Sequence, residues 1–104
     1  MSEIKELQEK ITDFASRRRW EVFHTPKNLV MALTGEVGEL SAEFQWLTPQ
    51  EAINIDKQKL DSVGLEIADV AIYLLRLCSV LNIDLKSVIE LKLQINEERF
   101  PEIK

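Results

Sequence analysis

A chain of 104 residues with a formal net charge of −5 is poorly suited to binding a nucleic-acid polymer, because polyanion binding requires a basic surface. Its hydrophobic content of 45% excludes a disordered chain, and the length predicts a single domain over residues 1–104. Three glycines and three prolines leave little material for the many turns of an all-β fold.

Three features bear on cellular location. The first residues lack the apolar core of a signal peptide. The most apolar segment, residues 70–81, is shorter than the roughly 20 residues that span a bilayer. The single Cys78 lies inside that segment and is expected to pack as a small hydrophobic residue. We therefore expect a soluble cytoplasmic protein that has no membrane partner.

The first predicted helix begins after Ser2, a favourable N-cap, and ends near the arginine run at residues 17–19. Its apolar face is expected to consist of residues at 3-4-3 spacing, namely Ile4, Leu7, Ile11 and Phe14. The arginine run is either a solvated face or an anion-attracting rim. Residues 20–24 then form a short aromatic connector.

The second helix is predicted to begin at Thr25 and Pro26, a cap followed by a proline that fits the first helical position, and to run to about Trp46. Gly35 and Gly38 inside it each cost about 1 kcal/mol of helix propensity relative to alanine. Such a cost indicates either a close approach of another backbone or a ligand, or helix–helix contact through small residues.

A third long helix is predicted from residues 57–61 to about Leu81, after a polar stretch that could hold a short helical turn. Because nearly every position from 70 to 81 is apolar, we expect this helix to be buried, in part by another subunit. Asp84 is the expected cap of a fourth helix that Pro101 terminates. The sequence thus predicts an all-α fold, a four-helix bundle with short connections.

Two polar stripes with the same 3-4-3 spacing mark the second and third helices. They consist of Glu36, Glu39, Glu43 and Trp46 in one helix and of Glu66, Asp69, Tyr73 and Arg76 in the other. Residues three and four apart share one face of a helix, so each stripe begins with two carboxylates on one face. A stripe of this kind is commonly solvated. In the third helix, however, the stripe continues into an apolar run that is expected to be buried. Carboxylates in such surroundings need a counter-charge.

A divalent cation is the counter-charge that these residue types favour. Every candidate ligand is a carboxylate oxygen, which suits Mg²⁺ or Mn²⁺ better than zinc. A di-iron bundle would need Glu-x-x-His elements, and the only histidine is His24. A polar strip in the fourth helix, formed by Lys92, Asn96 and Arg99, is either a phosphate clamp or a solvated face.

Aromatic side chains stand near the ends of the two acidic helices and suit stacking on a nucleobase. They are Trp20, Phe23, His24, Trp46 and Tyr73. Taken singly, each of them is more readily explained as part of the core, but their position next to the acidic motifs shifts the balance toward a ligand wall.

The ordered combination of these motifs resembles a known family. Glu-Val-Gly-Glu-Leu at 36–40, Phe-Gln-Trp at 44–46 and Glu-Ile-Ala-Asp-Val-x-x-Tyr at 66–73 are similar to motifs of the all-α MazG-type nucleoside triphosphate pyrophosphohydrolases, in particular the small dCTP pyrophosphatases. The similarity extends over nearly the whole chain, from Trp20 to Pro101.

The resemblance implies roles for these residues. Glu36, Glu39, Glu66 and Asp69 would bind Mg²⁺ and be catalytic. Residues 20–24, Trp46 and Tyr73 would shape a nucleoside pocket, and Lys92, Asn96 and Arg99 would contact phosphates. The family fold is a four-helix bundle that forms a homodimer or a dimer of dimers, with sites where subunits meet. Ile11 stands where relatives acting on dCTP carry a histidine, which leaves the base preference open.

The leading hypothesis is Mg²⁺-dependent hydrolysis of a deoxynucleoside triphosphate to its monophosphate and pyrophosphate. The expected substrate is dCTP or a modified pyrimidine nucleotide, and the expected role is cleansing of the nucleotide pool. Two alternatives remain open at this point. One is a non-catalytic helical module that binds metal or a partner; the other is a dUTP- and dUDP-hydrolysing relative.

Overall fold

The computed structural model describes residues 2–103, and this range contains helices and no strand. The helices are α1 (Glu3–Arg17), α2 (Pro26–Phe44), α3 (Pro49–Ile53), α4 (Lys57–Leu81) and α5 (Leu85–Arg99), with a single 3₁₀ turn at Glu21–Phe23. Four of them are long and correspond to the four predicted helices, while α3 is the short turn expected between the second and the third. The all-α prediction is confirmed.

Side-chain caps fix where the helices begin. The hydroxyls of Ser2 and Thr25 accept hydrogen bonds from backbone N–H groups three residues on, and the carboxylate of Asp84 does the same, as predicted. Asp56 caps α4, and Thr48 caps α3 in a reciprocal capping box. Local sequence therefore sets the register of every helix, including the two that carry the acidic stripes.

The end of α2 differs from the prediction. The helix ends at Phe44, two residues before Trp46. The backbone N–H of Leu47 bonds the carbonyl of Phe44 at 3.0 Å in a tighter turn, and Thr48 already begins the next helix. The chain therefore leaves the α2 axis before Trp46, and this side chain is 86% exposed.

The buried face of α1 is rotated from the predicted one. Gln8 and Ala15 are buried, whereas Leu7 is 49% and Phe14 is 44% exposed. The amide of Gln8 donates to the backbone carbonyl of Leu75 in α4 at 3.2 Å, so a polar residue occupies the centre of this contact. Apolar periodicity located the general side of α1 but not the strip that faces α4.

The core lies where α2 and α1 pack against α4. Its members are Ala15, Leu29, Val63, Leu75 and Cys78. Cys78 is 6% exposed, which confirms that it packs as a core residue, and burial raises the pKa of its thiol. This packing places the acidic stripes of α2 and α4 side by side.

Much apolar surface remains outside the core. Leu65, Leu93 and Phe100 are each at least 60% exposed, and α5 has no buried residue. The radius of gyration is 16.8 Å, against about 13 Å for a compact domain of this length. The accessible surface is 8423 Å², about 2,400 Å² more than a compact monomer of this mass exposes. The single chain is therefore open rather than compact.

Gly35 and Gly38 lie on open parts of α2. A Cβ atom added at either position would meet no other atom within 4 Å. Helix–helix contact within the subunit therefore does not explain these glycines, and the alternative of a ligand or another backbone stays open.

Among the helices at residues 2–103, none combines the length and the apolar character needed to cross a bilayer.

Candidate functional site

Four carboxylates converge between α2 and α4. Glu36 and Glu39 project from α2 and Glu66 and Asp69 from α4, and one oxygen atom of each lies within 4.8 Å of the other three. Glu36 and Glu66 are half-buried, while Glu39 and Asp69 are exposed. We call this group the acidic cluster. The structure thus brings together all four residues that the stripes singled out.

The acidic cluster is electrostatically unfavourable without a cation. Burial raises the pKa values of Glu36 and Glu66, and the nearby charges of Glu39 and Asp69 raise them further. The Oε2 atoms of Glu36 and Glu66 are sealed from solvent and have no hydrogen-bond partner in the described part of the chain. Orphaned buried carboxylate oxygens beside further carboxylates form a donor set that suits a hard divalent ion such as Mg²⁺ or Mn²⁺.

A basic residue lies close by but pairs with a different acid. The ammonium of Lys59 lies 3.3 Å from Oε2 of Glu43, the third acid of the α2 stripe. Across residues 2–103, no ion pair involves a member of the acidic cluster. Glu43 Oε2 is likewise buried without a hydrogen-bond partner among the described residues, but the Lys59 ammonium offsets its charge, whereas the acidic cluster has no such cation.

A cavity of about 270 Å³ opens beside the acidic cluster. Glu36 and Asp69 form part of its wall, and its other lining residues are Ile11, Phe14, Trp20, His24, Ile72, Tyr73 and Arg76. We call it the aromatic cavity. Two wider surface depressions of about 490 and 550 Å³ border none of the four acids. The aromatic cavity is therefore the better candidate for a substrate pocket.

Four of the five predicted aromatic residues meet here. An adjoining cavity of about 340 Å³ is lined by Trp20, Phe23, His24 and Tyr73 among others. The rings of Trp20 and His24 lie edge to face, with centroids 6.4 Å apart. Ile11, the position that left the base preference open, also lines the aromatic cavity.

The remaining predicted site residues do not reach these cavities within one subunit. The largely exposed Trp46 lines neither of them. Lys92, Asn96 and Arg99 lie on α5 and line neither cavity; Asn96 is half-buried, whereas Lys92 and Arg99 are exposed. Within one subunit, these four residues therefore make no part of either cavity wall.

Arg76 is a residue to which the sequence interpretation gave no role. Its side chain is only 8% exposed. It donates from Nε to Nδ1 of His24 at 3.0 Å and from Nη1 to Oγ1 of Thr12 at 3.2 Å. Burial lowers the pKa of His24, and the Arg76 charge lowers it further, against a smaller opposing effect of Glu21. The available signal was its place in the α4 stripe, one turn after Tyr73 within an apolar run.

The raised pKa of Glu36 gives a testable pH dependence. A carboxyl whose pKa is higher in the folded than in the unfolded state favours folding when protonated, and this contribution is lost as the pH rises through the folded pKa. In EDTA at pH 7.5 we therefore expect Glu36→Gln to melt a few degrees above the wild type. The difference should shrink as the pH falls toward 5.

Thermal unfolding of both proteins between pH 5 and 7.5 measures this effect. Glu97→Gln is the matched control, because Glu97 is an exposed glutamate of α5. This substitution should leave the melting temperature unchanged. Equal melting temperatures of the wild type and Glu36→Gln at every pH would show that the carboxylates of the acidic cluster do not destabilise the fold by repelling one another.

Comparisons with known proteins show what the chain is similar to. No family model matches the chain. It is 37% identical over 100 residues to dCTP pyrophosphatase 1 of Rattus norvegicus and 38% identical to that of Homo sapiens, in each case over 94% of this chain. The chain spans 59% of the length of these curated relatives.

A solved structure matches more completely. The crystal structure of a pyrophosphatase from Archaeoglobus fulgidus superposes with a TM-score of 0.92 at 36% identity, covering 98% of this chain and 95% of the archaeal one. Agreement in both fold and sequence over nearly the full length of that protein shows common ancestry. The chain therefore belongs to the all-α, MazG-type pyrophosphatase family that its motifs resemble.

Proposed function

We propose that this protein hydrolyses a deoxynucleoside triphosphate to the monophosphate and pyrophosphate with Mg²⁺ as its cofactor, Mn²⁺ being a possible substitute. One observation carries the proposal: four carboxylate oxygens lie within 4.8 Å of one another, and two of these carboxylates, Glu36 and Asp69, form part of the wall of the aromatic cavity. The names of its relatives, dCTP pyrophosphatases and a pyrophosphatase, support the same reaction class.

Glu36, Glu39, Glu66 and Asp69 would hold the metal. Magnesium bound there would offset the negative charge of the triphosphate and would lower the pKa of a water molecule bound to it. In the reaction, the oxygen of a water molecule forms a bond to the α-phosphorus, and the bond from that phosphorus to the bridging oxygen breaks, releasing pyrophosphate. Glu39, an exposed member of the acidic cluster, is our candidate to accept the proton of the water.

The aromatic cavity would hold the nucleoside. Trp20, His24 and Tyr73 line it together with Glu36 and Asp69, so a base among the rings would lie beside the phosphate-handling acids. Aromatic faces stack on bases with about 1–3 kcal/mol per base. We propose dCTP or a modified pyrimidine deoxynucleotide as the substrate, and cleansing of the cytoplasmic nucleotide pool as the role.

We further propose that the active form is a homodimer or homotetramer. The roughly 2,400 Å² of surface in excess of a compact monomer exceeds the approximately 800 Å² that each partner contributes to a standard interface. In this proposal the second copy packs against the apolar surface of one subunit, and its α5 lies next to the acidic cluster. Lys92, Asn96 and Arg99 of that copy would then contact the phosphates, with charge-assisted hydrogen bonds from Lys92 and Arg99.

A nucleotide panel at fixed Mg²⁺ tests the proposal. Chromatography should show the monophosphate, and a pyrophosphate assay should show pyrophosphate rather than orthophosphate. EDTA should stop the release. Hydrolysis of diphosphates as well as triphosphates would identify the dUTP- and dUDP-hydrolysing alternative. A protein that EDTA destabilises but that turns over no nucleotide would instead be the non-catalytic metal-binding module.

A further inference from the structure

The buried Arg76 has unused hydrogen-bonding capacity. A guanidinium carries five N–H donors and no acceptor. Within the described chain, Arg76 donates two hydrogen bonds, one from Nε to His24 and one from Nη1 to Thr12. Three of its five N–H groups therefore have no acceptor in this part of the chain. No carboxylate of residues 2–103 forms an ion pair with it. Because Arg76 lines the aromatic cavity, a ligand bound there can offer hydrogen-bond acceptors to these donors.

The contact with Arg76 also fixes the state of His24. Since the Nε–H of arginine always donates, Nδ1 of His24 accepts at 3.0 Å and carries no proton. The neutral ring then has its proton on Nε2. Burial and the neighbouring guanidinium lower the pKa of His24 and keep it neutral near pH 7. Arg76 and His24 therefore both present N–H donors next to Trp20 and Tyr73.

We infer that Arg76 determines the base specificity of the aromatic cavity by donating hydrogen bonds to the adjacent O2 and N3 acceptors of a cytosine. This inference rests on the proposed function and assigns its base. The paired N–H groups of an arginine fork match two neighbouring acceptors. Cytosine presents such a pair, whereas uracil and thymine carry an N3–H donor beside each carbonyl. That donor would oppose an N–H of Arg76 and leave both unpaired.

A purely structural role for Arg76 makes a different prediction. Its bonds to Thr12 in α1 and to His24 would then only hold α1 and the aromatic connector against α4. Loss of Thr12 would harm the protein in the same way as loss of Arg76, and every base would be affected equally. Thr12 itself does not line the aromatic cavity, so Thr12→Val is the matched control.

The decisive experiment measures nucleoside monophosphate binding by calorimetry with Mg²⁺ present; the proposed reaction does not consume monophosphates, so the readout does not depend on turnover. The probes are dCMP, dUMP and 3-deaza-dCMP, in which a C–H replaces N3. We expect the wild type to bind dCMP about 10-fold or more tightly than either of the others. Arg76→Lys should reduce this preference to near unity, while Thr12→Val retains it. The ratio of kcat/KM for dCTP to that for dUTP should likewise fall to near unity in Arg76→Lys and stay at the wild-type value in Thr12→Val.

Equal binding of dCMP and 3-deaza-dCMP by the wild type would overturn the inference, even if Arg76→Lys failed to fold. So would an Arg76→Lys variant that weakens all three ligands equally. Failure of the proposed function is distinguishable: no triphosphate would be hydrolysed with Mg²⁺, yet selective dCMP binding that depends on Arg76 would still support the specificity assignment.

Discussion

We expect Glu39→Gln to lower kcat/KM for triphosphate hydrolysis by about 10³-fold, since removal of a positioned general base typically costs 10²–10⁴-fold. The substitution also removes one oxygen ligand from the four that meet within 4.8 Å. The fold should persist, because Glu39 is exposed and its charge raises the pKa values of both Glu36 and Glu66. Steady-state kinetics at saturating Mg²⁺, alongside a melting curve, measure the effect.

Glu43→Gln is the matched control for this substitution. Glu43 lies one turn beyond Glu39 on the same helix but is paired with Lys59 at 3.3 Å. Its loss should change kcat/KM only a few-fold. Rates near the wild-type value in folded Glu39→Gln would remove Glu39 from the mechanism. An equal loss in both variants would indicate a general requirement for negative charge rather than a defined metal site.

The second large effect concerns sharing of the site between subunits. Arg99 lies on α5 and lines neither cavity next to the acidic cluster. If a second copy supplies it, Arg99→Met alone should lower kcat/KM by about 10²-fold through loss of a charge-assisted phosphate contact. Mixing inactive Glu39→Gln with inactive Arg99→Met subunits should then restore activity, because half of the sites in each mixed dimer are intact.

Random mixing of equal amounts should restore about a quarter of the wild-type activity. The control is a mixture of Glu39→Gln with Asp69→Asn subunits. Both changes lie in the same acidic cluster, so no site in this mixture is intact and no activity should return. Recovery no greater than the sum of the separate variants would place Arg99 and Glu39 of one site in the same subunit.

Local patterns in the sequence predicted the helices and the faces on which the four acidic residues lie. Caps at Ser2, Thr25 and Asp84 act over three residues, so they can be identified from the chain alone. The 3-4-3 spacing places Glu66 and Asp69 on one face of α4 regardless of tertiary packing. Their convergence with the α2 pair required only that these two helices be neighbours.

Features that depend on packing between helices could not be predicted in this way. Periodicity ranks apolar faces, yet Gln8 is buried because its amide reaches the carbonyl of Leu75, a contact that no spacing rule anticipates. Arg76 belonged to a recognised stripe, but its contact with His24 joins residues 52 positions apart. The position of Trp46 depends on how α2 ends, a boundary set by the start of α3.

A crystal structure grown with Mn²⁺ and a non-hydrolysable dCTP analogue would show whether the acidic cluster binds metal, because the anomalous signal locates the metal. We expect a Mn²⁺ peak bound by carboxylate oxygens of Glu36, Glu39, Glu66 and Asp69, with the base in the aromatic cavity. The contrary result would be four side chains turned into bulk solvent with no metal peak between α2 and α4.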